Sequence, residues 1–345
     1  MPSLSNAGSS IIKLTSAQLR QTGARGRRAD IIGASVPDEA NSPLIAEGSS
    51  RSLRDRVEVA ALRVGIRVAC ALGPAAASNL GGRVARTIGP WLPVSRIAEA
   101  NLRRAFPELD AQARRRLLLG VWENLGRTAA EMPHVGTLRR TADGPGWECE
   151  DDTELRALRD HGGPAILFSG HLANWEIGLP VATSLGLAVS WFYRAASNPA
   201  ADAVIQDMRR GAMGLEVPMF AKGSTGAREA LAHLRRGGVL GMLVDQKLNE
   251  GLAVPFFGRL AMTTPALAQF AVHFRCPVIP VHPVRLGPAR FRVICEPPMA
   301  LPDNNDRTAD VYALSLAMNA TLERWIREQP ECWLWLHRRW PKDPS

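Results

Sequence analysis

A histidine and a glutamate stand five residues apart just after an apolar stretch. In "FSGHLANWE", residues 168 to 176, the apolar run ends at Phe168 and is followed by His171 and Glu176. A neutral histidine takes a proton from a hydroxyl, and a carboxylate bonded to its other ring nitrogen fixes the tautomer. Such general-base assistance is worth about 10²- to 10⁴-fold in rate. The pair predicts a general-base site, although a helix cap at His171 and a surface position for Glu176 explain the same residues.

The two side chains can meet only across a turn. Residues five apart on a regular helix point about 140° away from each other. We therefore expect His171 in a loop that follows a buried strand and Glu176 in the first turn of the next helix. The spacing alone is common by chance, so its weight depends on the elements around it.

Those elements alternate along most of the chain. Short apolar runs predict strands at residues 165–169, 188–193, 215–220, 239–245, 278–285 and 291–296. Helical patterns fall at residues 174–185, 199–214, 224–236, 265–274 and 309–328. This order predicts βαβ units in a three-layer α/β/α fold, with a mostly parallel central sheet and helices before it.

Three polar residues follow the ends of predicted strands. His171, Arg194 and Asp245 each stand at or just past such an end. Ligands of open α/β sheets bind at the carboxyl ends of the strands. The three strand ends together therefore predict one site.

Signatures of other chemistries are missing from the sequence. Leu167 holds the place of the first glycine in the pattern of a nucleophilic serine elbow. No zinc-binding H-E-x-x-H motif occurs, and the glycines around Lys222 lack the spacing of a phosphate-binding loop. We therefore expect direct base catalysis with no metal and no bound cofactor.

The chain is predicted to have three parts. Residues 1–52 are rich in Ser, Gly, Ala and Arg and are predicted to be a poorly ordered tail. Residues 53–143 form an N-terminal helical part near the membrane, and residues 144–345 form an α/β catalytic part. The two latter parts are expected to fold as a single domain.

Composition limits the partners of the protein. Its 345 residues carry a formal charge of +9, which favours an anionic partner. Low aromatic content, scattered arginines and the lack of a binding signature argue against nucleic acid. The five cysteines are odd in number and widely spaced, as in a protein with reduced thiols.

An apolar helix is predicted from Val57 onward, but charged residues interrupt it. Arg63 and Arg67 share one face, and Ala, Val, Ile and Leu occupy the other. The run is too short between charges for a membrane-spanning helix. Packing on the domain and an interfacial position in the membrane both stay open. We expect peripheral or monotopic attachment, with a single N-terminal span as the alternative.

The segment "GHLANWE" resembles the "GHxGNWE" block of the lipid A biosynthesis lauroyl/myristoyl acyltransferase family, part of the wider H-x-x-x-x-D/E acyltransferase group. Further similar blocks follow the family's order over about residues 55 to 343. They are "NLRRAFPEL", "ENLGRTAAE", "WFYRAASNP", "GMLVDQKLNEGLAVPFFGRLAMTTPALAQFA" and "WLWLHRRWPKDP".

The resemblance implies transfer of a laurate- or myristate-class acyl chain from acyl carrier protein to a hydroxyl of a lipid A precursor. His171 would be the general base and Glu176 its partner. Substrate binding is predicted for Arg194, Asp245, Asn174 and Gln246, and Asp245 either touches substrate or only braces the loop. Backbone amides at the start of the helix with Asn174 would stabilise the oxyanion.

The same resemblance names the partners and the location. The phosphopantetheine thioester of acyl carrier protein would be the co-substrate, with a phosphorylated anionic lipid as acceptor. The enzyme would work on the cytoplasmic face of the inner membrane. Two rival functions stay open: acyl transfer to another membrane lipid, and a basic membrane-binding protein without catalysis.

Some details of the pattern leave alternatives. Ala173 replaces the glycine common in the motif, which a negative φ would tolerate. Phe256 and Phe257 are predicted to pack in the core, with an acyl-pocket wall as the alternative. The C-terminal residues suit either a membrane or phosphate-contacting edge or plain packing; they are Trp333, Trp335, His337, Arg338, Arg339 and Trp340.

Overall fold

The computed structural model describes residues 53–193, 198–213 and 218–341. At its centre lies a seven-stranded sheet with the order β1-β9-β8-β2-β5-β3-β4, and β6 and β7 form a separate hairpin. The strands are β1 (Gly146–Cys149), β2 (Ala165–Ser169), β3 (Val189–Tyr193), β4 (Met219–Ala221), β5 (Val239–Leu243), β6 (Lys247–Phe256), β7 (Arg259–Thr263), β8 (Val278–Gly287) and β9 (Arg290–Cys295).

Helices precede the sheet and cover its faces. They are α1 (Leu53–Leu72), α2 (Pro74–Ile88), α3 (Ser95–Ala105), α4 (Ala111–Glu131), α5 (Thr153–His161), α6 (Gly178–Ser184), α7 (Pro199–Met213), α8 (Ser224–Arg235), α9 (Ala266–Phe274) and α10 (Arg307–Glu328). Short 3₁₀ turns lie at Gly89–Trp91, Met132–Thr137, Trp175–Ile177 and Pro330–Cys332.

Strand β2 shows why the sheet has a layer on each side. All five of its residues are buried. Ile166 and Phe168 belong to the apolar cluster on one face, and Ala165 and Leu167 belong to the cluster on the other. A strand buried on both faces needs an uninterrupted apolar run, which this sequence has. The predicted α/β fold with a mostly parallel sheet is confirmed.

Strand direction decides which residues meet. Every pair of neighbours in the large sheet is parallel except β8 and β9. Strands β2 and β5 lie side by side, with Ser169 opposite Leu243 at their carboxyl ends. The segments that follow these two strands therefore leave the sheet next to each other.

Several elements differ from the sequence prediction. Strand β1, helix α5 and the β6–β7 hairpin were not predicted, and residues 174–185 form a 3₁₀ turn plus the short α6 instead of one helix. The hairpin turns at Phe257 and Gly258, both with positive φ. Turns of this kind usually place Asn or Asp before the glycine, so the phenylalanine hid the signal.

The N-terminal helices pack against each other and against the α/β part. Gly81 of α2 and Gly126 of α4 face each other so closely that a Cβ on either would overlap the other's carbonyl. Residues of α3 and α4 share one buried cluster with α10 and the C-terminal tryptophans. The tail predicted at residues 1–52, Arg194 and part of the strand predicted at 215–220 lie outside the described residues.

Helix α1 has an apolar face that the other described residues do not cover. Val57, Val64 and Val68 lie along one side of the helix and are 46–60% exposed, whereas Val59 and Ala69 on the opposite side are buried. None of the helices in the described segments is long and apolar enough to cross a membrane.

Candidate active site

The loop between β2 and the next 3₁₀ turn carries the histidine. It begins at Gly170, where a Cβ would clash with Leu322 of α10 and approach the Asp245 side chain. A glycine here lets α10 and Asp245 come close to the backbone of the loop. The prediction that His171 lies in a turn after a buried strand is thus met by the structure.

His171 is held by Asp245, which stands two residues past the end of β5. Its Nδ1 lies 2.7 Å from Oδ1 of Asp245, and its backbone N–H donates to Oδ2 at 2.9 Å. A carboxylate can only accept, so Nδ1 carries the hydrogen and the lone pair of Nε2 is directed away from Asp245. The imidazole ring is 16% exposed, and the edge of Trp175 packs against it.

Asp245 is completely buried but well supplied with donors. Besides His171, the indole Nε1 of Trp333 donates to its Oδ2 at 2.7 Å. Burial alone would raise the pKa of Asp245, but the charge and hydrogen bonds of His171 lower it well below its usual range. The carboxylate is therefore ionised at neutral pH, and its position supports bracing of the histidine over contact with substrate.

The predicted pairing of His171 with Glu176 needs correction. Glu176 is buried, and its two carboxylate oxygens accept from Arg209 of α7 at 2.5 and 3.1 Å. Burial would lower the pKa of Arg209, but the bonds to Glu176 raise it. Because both ring nitrogens of His171 face other groups, the carboxylate partner in this structure is Asp245.

Asn174 is enclosed by the protein and holds the loop from inside. Its amide nitrogen donates to Glu131 at 2.9 Å, and its amide oxygen accepts from the backbone N–H of Glu176 at 3.2 Å. Glu131 is itself ion-paired with Arg285 at 2.5 Å, and both side chains are almost fully buried. The sequence predicted that Asn174 binds substrate, but its side chain has no exposed surface in this structure.

Helix α4 fixes the residue just before Asn174. Thr128 and Asn124 both donate to the carbonyl of Ala173, at 2.8 and 3.2 Å. Ala173 has φ +46°, a left-handed conformation, and not the negative φ at which a methyl group is readily tolerated. The two hydrogen bonds explain how an alanine stays in a position that favours glycine.

The C-terminal segment closes the other side of the loop. Ala173 donates its N–H to the carbonyl of Cys332, and Leu334 donates to the carbonyl of His171. Trp333, Trp335, Trp340 and Arg339 are all buried, so packing is the correct alternative for these residues. Phe256 and Phe257 are also buried core residues, and their rings pack at steep angles against Trp333 and Trp335.

Gln246 lies on the open side of the histidine. Its amide Nε2 is 3.3 Å from Nε2 of His171, and its Oε1 accepts from the ammonium of Lys222 at 3.2 Å. Gln246 is half-buried and Lys222 is exposed. Arg194, predicted to join this site, lies outside the described residues.

Five of the backbone amides near the start of the predicted helix, where an oxyanion site was predicted, already donate within the protein. The amides that donate within the protein are those of His171, Leu172, Ala173, Glu176 and Ile177. The element that begins here is a three-residue 3₁₀ turn, not a long helix with open N–H groups. Within the described segments, no group of three His, Cys, Asp or Glu residues could hold a metal ion.

The geometry is that of a general base. A buried carboxylate orients Nδ1, and Nε2 has the amide of Gln246 beside it on a ring that is 16% exposed. Sequence reasoning missed Glu131, Arg209 and Arg285, which hold the loop from helices and a strand far away in the chain. For Glu131, at the end of α4, the only sequence signal is a charge in otherwise apolar surroundings.

Comparison with known proteins agrees with these observations. The sequence model of the bacterial lipid A biosynthesis acyltransferases matches residues 49–342. A search of curated protein sequences gave no match. The matched region covers the whole of the sheet and every residue of the histidine site described above. The chain therefore belongs to the bacterial lipid A biosynthesis acyltransferase family.

Proposed function

We propose that this protein transfers a fatty acyl chain of the laurate or myristate class from acyl carrier protein to a hydroxyl of a lipid A precursor. His171 is the general base. Asp245 accepts the hydrogen bond from Nδ1 of His171 and stabilises the positive charge that the ring acquires. The hydroxyl gives its proton to Nε2 while its oxygen attacks the thioester carbon. No covalent acyl-enzyme is required, because a thioester is already activated.

The observation that carries this proposal is the bond between Nδ1 of His171 and Asp245. At 2.7 Å it fixes the neutral tautomer with a lone pair on Nε2. As the hydroxyl loses its proton, the ring becomes a cation, and the carboxylate stabilises that charge. Family membership supports the acyltransferase reaction, and this bond supports the mechanism.

Glu176 acts in this proposal as a positioning residue. Its ion pair with Arg209 ties the turn after the histidine loop to α7. Its backbone N–H also donates to the side-chain oxygen of Asn174, which joins Glu176 to the histidine loop. Loss of Glu176 is expected to disturb the loop without removing the base.

Variants of the two central residues test the mechanism. His171→Ala removes the base. In Asp245→Asn, both carboxylate oxygens of Asp245 accept hydrogen bonds, so either orientation of the new amide points an N–H at a donor. Asparagine thus favours the wrong tautomer, and we expect a fall in kcat of about 10⁴-fold, the loss known for the equivalent change in a serine protease triad. His161→Ala, on the exposed surface of α5, is the matched control and should keep full activity.

Transfer of acyl groups from acyl carrier protein to purified lipid A precursor is measured by mass spectrometry. Wild-type rates in His171→Ala would contradict the proposed base. If a strain that lacks the gene keeps its lipid A unchanged but loses another acylated lipid, that other lipid is the acceptor. Loss of membrane binding in arginine variants with full function in His171→Ala would support the non-catalytic alternative.

The uncovered face of α1 supports attachment to the cytoplasmic face of the inner membrane. Its exposed valines lie beside the exposed Arg63 and Arg67. Farther along, Trp91 is 83% exposed just after α2. An apolar stripe flanked by arginines suits a helix that lies in an anionic lipid surface, with the arginines at the headgroups.

Binding to lipid vesicles tests this attachment. In Val64→Glu/Val68→Glu, the apolar groups that enter the lipid are replaced by charges. Each buried CH₂ is worth about 0.8 kcal/mol, so the partition into phosphatidylglycerol vesicles should fall more than about tenfold. Leu316→Glu, which charges an exposed position of α10, is the matched control. Equal sedimentation of both variants with the vesicles would refute the proposed contact.

A further inference from the structure

The amide of Gln246 is held between a base and a cation. Its nitrogen faces Nε2 of His171 at 3.3 Å, and its oxygen faces the ammonium of Lys222 at 3.2 Å. An ammonium only donates, so the amide oxygen must be on the side of Lys222. The ring nitrogen that Asp245 leaves without a hydrogen only accepts, so the amide N–H must point to it. Both neighbours thus require the same amide orientation.

This orientation places N–H donors where negative charge develops. When a hydroxyl attacks a thioester beside His171, electrons of the carbonyl bond move to the carbonyl oxygen. That oxyanion needs hydrogen-bond donors next to the attacked carbon. Five of the backbone amides nearby are engaged within the protein, as described above, whereas the Gln246 amide lies on the open side of the ring.

We propose that Gln246 donates a hydrogen bond to the oxyanion of the tetrahedral intermediate and that Lys222 is the positioning residue that orients its amide. The inference rests on the proposed acyl transfer. In the free enzyme one N–H of Gln246 faces the lone pair of Nε2; the entering hydroxyl takes this place and releases the N–H.

His171 and Gln246 together account for the proton and the negative charge in each step. Nε2 of His171 takes the proton of the hydroxyl while the new C–O bond forms and the oxyanion accepts from Gln246. On collapse, the C=O bond re-forms, the C–S bond breaks, and the thiolate leaves with the proton from Nε2. Lys222 stays in place throughout and contributes positive charge behind the amide.

Steady-state kinetics separate this role from ordinary substrate binding. Gln246→Ala should lower kcat by about 100- to 1,000-fold, the loss seen when one oxyanion donor is removed, with KM for the thioester nearly unchanged. Gln246→Glu should lose at least as much, because a carboxylate repels the oxyanion. Lys222→Met frees the amide to rotate and should cost about tenfold, roughly one hydrogen bond, and Lys222→Arg should restore most of it.

Controls keep folding and binding apart from catalysis. Gln112→Ala, in the exposed first turn of α4 and about 18 Å along that helix from Asn124, should behave as wild type. A thioether analogue of acylated carrier protein has no carbonyl and forms no oxyanion, so its Kd should be the same for wild type and Gln246→Ala.

The outcomes are distinct. An unchanged kcat in Gln246→Ala, whether or not KM rises, overturns this inference. If His171→Ala is inactive in the same assay, the proposed reaction still stands. A wild-type protein that transfers no acyl group overturns both. Loss of activity in Lys222→Arg equal to that in Lys222→Met overturns the positioning role of Lys222.

Discussion

Removal of the Glu131 carboxylate should weaken both the fold and the histidine loop. In the structure it accepts from Ser78 and Asn174, at 2.6 and 2.9 Å, and from both guanidinium ends of Arg285. Glu131→Ala leaves the guanidinium buried without a counter-ion, because only 9% of the Arg285 side chain is exposed. Breaking one side of a buried ion pair costs about 3–5 kcal/mol.

That loss is large compared with the stability of a typical domain. A loss of this size corresponds to a fall in Tm on the order of 10 °C for a domain of this length. Burial would raise the pKa of Glu131, but the charge of Arg285 lowers it, so the carboxylate is ionised throughout the neutral range. We therefore expect the same loss at pH 6 and pH 8.

Urea unfolding checks the reasoning with four variants: Glu131→Ala, Glu131→Leu, Arg285→Met and the double variant Glu131→Leu/Arg285→Met. Replacing both partners, in Glu131→Leu/Arg285→Met, leaves no buried charge and should cost about 2–3 kcal/mol less than the sum of the single losses. Glu131→Ala should also lower acyl transfer about 10- to 100-fold, since Asn174 loses its anchor and small displacements of a catalytic group are costly. Additive losses, or a Glu131→Ala variant within about 1 kcal/mol of wild type, would refute the role of the pair.

Two further outcomes follow from single residues. The free energy of unfolding of Ala173→Gly should stay within about 1 kcal/mol of wild type in urea. Relief of the positive φ stabilises this variant, and the lost methyl group and the freer unfolded chain offset that gain. Ala173→Val should lose at least about 2 kcal/mol of unfolding free energy. Burial holds the pKa of His282 at about 4, below its ordinary 6.5, so the unfolded chain binds a proton that the folded one rejects. Stability should therefore rise by up to about 3 kcal/mol between pH 4 and pH 6.5. His282→Phe should flatten this rise, and an unchanged slope would contradict the assignment.

The order and type of most sheet elements could be predicted because the strands are apolar on both faces. Strand β2 is a continuous apolar run that ends in Ser169, and the start and end of α7 and α10 follow from their helical patterns. The β6–β7 hairpin could not be predicted in the same way. Its turn depends on Phe257 at positive φ, which the protein holds with a hydrogen bond from its N–H to Glu323.

The sequence named His171, Asp245 and Gln246, which lie together in the structure, but not their pairing. Spacing along the chain favoured Glu176, five residues from the histidine, whereas the true neighbour of the ring comes from the adjacent strand. Asp245 could have been chosen from the sheet order alone, since β2 and β5 are parallel neighbours with Ser169 opposite Leu243. Sequence periodicity does not give strand order, so this information required the fold.

No sequence signal predicted the ion pair between Arg209 and Glu176. Arg209 stands on a helix with Arg210 beside it, and Arg210 pairs with Asp207 on the surface. Nothing in the sequence tells which of the two neighbouring arginines points inward. Only the packing of α7 against the turn at Trp175–Ile177 decides this.

The contact between the histidine loop and the C-terminal segment has a consequence for biosynthesis. Leu172 pairs with Trp333, and the indole of Trp333 completes the hydrogen bonds of Asp245. Trp333 follows every strand of the described sheet along the chain, so a ribosome makes it after all of them. A nascent chain that already contains His171, Asp245 and the N-terminal helix α1 therefore still lacks the indole that donates to Asp245. The hydrogen bonds that hold the His171 ring are complete only when residues 330–335 have been synthesised and have docked.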